Sequence, residues 1–136
     1  MESTGNTANT AITPIVAADA PTPTGPFNHA VRVNGFVFTS GQAGRNRETG
    51  TMGDAGEQVD WALRNIGAIL REAGTSIENV VKVTMILRDD VTDMASVNAS
   101  YTKHFQGVLP ARTSFFVSRL KNADMLVEIE AVAVVG

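Results

Sequence analysis

Two spacings of apolar residues alternate along this chain, a period of two and a period between three and four. Val31-Arg32-Val33 and Phe36-Val37-Phe38 flank Asn34-Gly35. That pair is a strong hairpin signal, because a type I′ turn needs positive φ at both central residues. The second strand runs on into Thr39-Ser40-Gly41-Gln42, and a loop punctuated by Gly44, Gly50 and Gly53 follows. From Asp54 the period lengthens. Val59, Ala62, Leu63, Ile66, Ile69, Leu70 and Ala73 form one helical stripe, and Gly74 stands where a left-handed C-cap belongs. Val80 to Leu87 returns to a strand, with Val81, Val83, Met85 and Leu87 on one face and Lys82 and Thr84 on the other. Asp93 is placed to cap a second helix with a buried stripe of Met94, Val97, Tyr101 and Phe105, ended by Gly107. Arg112 to Val117 and Leu126 to Val135 supply the last two strands.

This order predicts an α+β fold, a mixed β-sheet with two helices packed on one face. Two helices cover only that face, yet Ile86, Val132 and Val134 fall on the other among polar neighbours. An apolar sheet surface of that kind implies a homo-oligomer. Residues 1–24 are rich in Thr, Ala, Asn and Pro and read as a flexible tail. Within it residues 12–16 form a short edge strand, since Pro14 is tolerated only at an edge. Residues 25–136 then make a single domain, without internal repeats.

Composition narrows the function. At 136 residues, with 43% hydrophobic and 18% charged positions, the chain suits one globular domain. Its net charge of −3, with eleven scattered Lys and Arg, offers no field for nucleic acid. The absence of cysteine excludes disulfides, thiolate nucleophiles and Cys-ligated metals. No secretory leader or membrane-length window is visible, so a cytoplasmic protein without membrane contact is expected.

Few residues carry chemistry. Arg112 follows Pro110-Ala111 where a strand leaves a loop, a position from which a guanidinium fork can grip a carboxylate or form a plain surface ion pair. Glu128 and Glu130 share one face of an apolar strand. One can pair structurally with Lys82 or an arginine across the sheet, and the other can face a cleft as a proton-transfer group. His29 follows Phe27-Asn28 in a loop and can line a pocket, whereas His104 sits near a helix end. Their separation gives no metal-ligand spacing. Asp89, Asp90 and Asp93 lack the spacing of a calcium loop. Asn98-Ala99-Ser100 is formally a glycosylation sequon, but it falls within a helix.

Five segments taken together carry a resemblance: Gly25-Pro26-Phe27-Asn28-His29-Ala30, Phe38-Thr39-Ser40-Gly41-Gln42, Val97-Asn98-Ala99-Ser100-Tyr101, Pro110-Ala111-Arg112 and Val127 to Ala133. In order and spacing they resemble the RidA/YjgF family of reactive-intermediate deaminases. The resemblance implies a chorismate-mutase-like fold, a homotrimer joined through the open sheet face, and clefts at the subunit interfaces. It implies hydrolysis of enamines and imines such as 2-aminoacrylate and 2-iminopropionate to the 2-keto acid and ammonia, without metal or organic cofactor. By the same resemblance Arg112 holds the substrate carboxylate, and Glu128 positions the attacking water and assists proton transfer. Ser40 and Gly41 line the carboxylate end. Ser114 stands where cysteine is common and acts through its backbone, and Phe27 replaces a common tyrosine. Residues 121–125 are one residue longer than the usual spacing. A non-catalytic carboxylate-binding or regulatory member, and a pathway-specific deaminase of a larger imine, are the alternatives.

Overall fold

A computed structural model of the chain describes residues 11–136. Strands β1 (Thr13–Ile15), β2 (Ala30–Val33), β3 (Phe36–Thr39) and β4 (Gln42–Ala43) precede helix α1 (Ala55–Glu72). A 3-10 turn (Ile77–Asn79), β5 (Val80–Arg88), α2 (Met94–Thr102), β6 (Ala111–Val117) and β7 (Val127–Val134) complete the order. The sheet runs β1-β2-β3-β7-β5-β6, with β4 also paired to β7. Only β5 and β6 are parallel; the other pairs are antiparallel. The expected mixed sheet and α+β order are observed.

Local chemistry accounts for most boundaries. Asn34 (φ 53°) and Gly35 (φ 80°) both adopt the left-handed conformation that the β2–β3 hairpin demands. Asp54 and Glu57 close a reciprocal capping box at the start of α1 (2.9 and 3.0 Å). At its end Gly74 (φ 91°) donates to Arg71 O and Thr75 N donates to Leu70 O, a Schellman motif. Val59, Leu63, Ile66, Ile69 and Leu70 are at most 1% accessible and pack on Val37, Val83, Met85, Leu87, Val127, Ile129 and Ala133 of the sheet. Each of the Val, Leu, Ile and Met side chains contributes about 1.5–3 kcal/mol.

Three expectations change. Val81 leaves the buried face and is 43% exposed, because a bulge between Val80 and Lys82 resets the alternation. Helix α2 ends at Thr102 with Lys103 as its cap, well short of Gly107, although Phe105 beyond it is still buried. The flexible tail is the third. Residues 1–10 lie outside those described; the edge strand expected at 12–16 is β1, paired with β2, but the described stretch is not loose, since Ile15, Ala17 and Ala20 are core residues.

The open sheet face matches the pattern. Phe36 and Phe38 are each 41% exposed and meet edge-on at 6.3 Å; Val132 and Val134 are half-buried opposite them, and further along the face half-buried Ile86 lies opposite exposed Phe115 of β6. Lys82 on this face donates to the Thr113 hydroxyl (2.7 Å) rather than pairing with either glutamate.

Candidate functional site

Between β3 and β4 the ladder to β7 slips. Phe38 faces Val132, but Gln42 faces Ile129, so Ser40-Gly41 contributes one residue more than the opposite strand. The Ala131 N–H is taken up by the Thr39 hydroxyl (3.0 Å), while Ser40 N donates to His29 O and the Ser40 hydroxyl to Asn28 O. This irregularity turns Gly41 toward β7 and opens a cleft of ≈ 250 Å³. Its walls are Pro21 to Thr24, Phe27, Gly41 to Ala43 and the loop carrying Lys121, Asn122 and Met125, with Arg45 and Glu128 also lining it.

Glu128 is the cleft's acid. A Cβ at Gly41 would overlap its carboxylate and lie 2.9 Å from its Cδ, so the side chain rests directly on the glycine backbone. Burial pushes the Glu128 carboxyl above its usual value and the charge of Glu130 adds to this, while Lys121 pulls the other way. A carboxyl shifted upward is better matched to moving protons near neutrality. Glu130, one step beyond on the same sheet face, is exposed.

Three buried polar residues hold the walls. His29 is inaccessible, accepts from Ala17 N at Nδ1 (2.8 Å) and meets Pro21 O through Nε2 (2.6 Å). That pattern fixes the Nε2–H tautomer. His29 therefore stands behind the wall and fixes Pro21; it does not line the pocket. Gln58 donates to Gly53 O and Asp124 O (2.9 and 3.0 Å) and accepts from Leu126 N (2.8 Å), anchoring the loop before β7. Asn65 donates to Arg45 O (3.2 Å). Neither Gln58 nor Asn65 stands among the residues that sequence motifs single out. They fall on the ridge of Ala62 and Ile69, and polar residues on an apolar ridge were the available signal.

Arg112 and Ser114 lie elsewhere. Arg112 is opposite Val83 and Ser114 opposite Met85, on the helix-covered face, whereas Glu128 is opposite Ile86 on the open face. Within one chain the sheet separates them. The Arg112 guanidinium is placed by α2: Nη2 donates to Asn98 Oδ1 (3.0 Å), and its carbon sits 4.6 Å from the centre of the Tyr101 ring. It forms no ion pair among the described residues, so the surface ion pair anticipated as one reading is not what holds it. The other histidine, His104, bonds Asp60 (2.7 Å) and ties the segment just after α2 to α1. Among the described residues no group of three or more His, Asp or Glu side chains is placed to hold a metal ion.

Residues 17–135 match the family model described as Endoribonuclease L-PSP. The 2-iminobutanoate/2-iminopropanoate deaminase of Mus musculus is 41% identical over 124 residues, covering 90% of both chains. The chain belongs to the RidA/YjgF family. A RutC family protein of Synechocystis is 46% identical over 124 residues, covering 88% of this chain and 94% of its own. Escherichia coli TdcF, solved with bound serine, superposes with a TM-score of 0.83 at 34% identity, over 91% of this chain and 99% of TdcF.

For a RidA-family chain the geometry is informative about the residues singled out by resemblance. Phe27, Gly41 and Glu128 converge on one cleft, with Ser40 bonded immediately behind it. Arg112 and Ser114 form a second group on edge strand β6. Segment 121–125 contributes Lys121 and Met125 to the cleft wall, and Gln58 anchors it. No helix among the described residues is long and apolar enough to cross a membrane.

Proposed function

We propose that this chain is an enamine/imine deaminase that works as a homotrimer, with each site completed across a subunit boundary. Arg112 of one copy holds the substrate carboxylate; Phe27, Gly41 and Glu128 of the next form the reacting cleft. The observation that carries this reading is Glu128 itself, a half-buried carboxyl with a raised pKa, seated against Gly41 in an open cleft. The 41% identity to the murine deaminase supports the reaction class. The exposed Phe36, Phe38 and Phe115 give the open face an apolar surface for a second copy.

A 2-imino acid protonated at nitrogen is already electrophilic. Fixing its carboxylate, holding a water and moving protons suffice. Glu128 takes a proton from water as the oxygen adds to the C=N carbon. It then returns a proton to the nitrogen, and as the C–N bond breaks the carbinol O–H proton passes back to Glu128, giving the 2-keto acid and ammonia. Gly41 lines the carboxylate end with Ser40 bonded behind it, and Ser114 contributes through its backbone.

A second reading is a carboxylate-binding member without turnover, favoured by the serine bound in TdcF. Both are tested by generating 2-aminoacrylate in situ and following pyruvate release. Wild type accelerates release, and Arg112→Ala lowers kcat/KM by at least about a hundredfold through loss of a bidentate anchor. Carboxylate binding without acceleration would establish the second reading instead.

A further inference from the structure

The charges around the cleft do not match a small neutral side chain. Its lining holds one acid, Glu128, and two cations, Arg45 and Lys121, although the whole chain carries −3. Arg45 is partly committed, donating to Gly50 O (2.8 Å) with Asp124 at 3.7 Å. Lys121 is not. Its ammonium donates to the Thr24 hydroxyl (2.6 Å) and meets no carboxylate within ion-pair distance among the described residues. That bond crosses from the loop before β7 to the Pro21–Thr24 wall. Both walls are fixed from behind, by Gln58 on one side and His29 on the other. The lysine is thus a charge on a flexible stem between two anchored walls, within coulombic reach of Glu128 but in ion-pair contact with no carboxylate among the described residues.

We propose that the site takes 2-imino dicarboxylates, with the second carboxylate lying against Lys121, between the Thr24 hydroxyl and Arg45. This deepens the deaminase reading and rests on it. The carboxylate common to all 2-imino acids is assigned to Arg112, so Lys121 is left to read the side chain. The chemistry at the reacting carbon is unchanged. Water adds across the C=N bond, both of its protons pass in turn by way of Glu128 to nitrogen, the C–N bond breaks as ammonia leaves, and a 2-oxo dicarboxylate remains. Phe27 and Met125 flank the methylene portion, and the Thr24 hydroxyl offers the incoming carboxylate a further hydrogen bond. An ammonium in a solvent-reached cleft attracts a carboxylate modestly, so discrimination of about five- to tenfold is expected.

The test compares the imines of aspartate and alanine, each released in situ by an amino-acid oxidase, and measures their competition with semicarbazide trapping. The readout is the ratio of kcat/KM, aspartate imine over alanine imine, for full-length wild type, Lys121→Met and Lys121→Arg. Wild type gives a ratio of about five to ten, Lys121→Met brings it near one, and Lys121→Arg largely keeps it. A wild-type ratio at or below one overturns the proposal, as does a ratio that survives Lys121→Met. Equal losses with both imines would assign Lys121 to the common carboxylate and also overturn it, leaving the deaminase reading intact. Acceleration of neither imine removes that reading and this inference with it.

Discussion

Replacing Gly41 by alanine separates catalysis from folding. The added Cβ would overlap the Glu128 carboxylate and stand 2.9 Å from Cδ and 3.1 Å from Cγ. The φ of Gly41 is not in the left-handed region, so alanine fits the backbone without strain. The group that must yield is the end of a half-buried side chain. To restore ordinary contact the carboxylate moves by more than about 1 Å. Leaving a preferred rotamer costs about 0.5–1.5 kcal/mol, which lowers the melting temperature by no more than several degrees. Displacing a proton-transfer group by the same amount lowers kcat by about a hundredfold. Thermal unfolding and in situ 2-aminoacrylate turnover, measured on one preparation, check both halves. Turnover within twofold of wild type would refute the placement of Glu128 against the glycine as a working contact. A loss of turnover explained by unfolding would refute the separation.

Other perturbations read the supports. Asn98→Asp gives Arg112 an internal carboxylate in place of a neutral amide and should raise KM about tenfold with kcat little changed, in steady-state kinetics. Tyr101→Phe should be close to neutral, since the buried hydroxyl has no partner among the described residues. Tyr101→Leu removes the ring under the guanidinium and should raise KM more. Gln58→Ala strips partners from two carbonyls and one N–H and should cost about 2–4 kcal/mol in urea denaturation. Because the folded chain holds the Glu128 proton more tightly than the unfolded chain, this group's contribution to stability falls as pH rises from 4.5 through its raised folded value. Glu128→Gln should therefore melt above wild type at and above neutrality, with the gap closing in acid.

How much of this was legible beforehand differs by element. The hairpin at Asn34-Gly35 and the stripe of α1 were legible because local chemistry determines them. The bulge at Val81 was not, since its signal is a register against β7, a strand nearly fifty residues downstream. The buried stretch around Ala17 was hidden by a polar, proline-rich composition; what orders it is His29, whose ring accepts the Ala17 N–H. The site divides the same way. Arg112 and Glu128 were picked out by residue type and resemblance. That they fall on opposite sheet faces follows from two register positions, Val83 and Ile86, that spacing along one strand does not reveal. Lys121 was passed over because an exposed lysine in a loop has no pattern; only the cleft wall gives it meaning.

The claim at the centre is that Arg112 and Glu128 act together only across a boundary between copies. Co-expressing Arg112→Ala with Glu128→Gln in equal amounts and assaying the mixed oligomers tests it directly. If one copy supplies the arginine and its neighbour the glutamate, random assembly leaves both residues intact at about one site in four. The mixture should then show about a quarter of wild-type turnover, although each parent alone is nearly inactive. A mixture as inactive as its parents, with mixed oligomers shown by mass to have formed, would contradict the account.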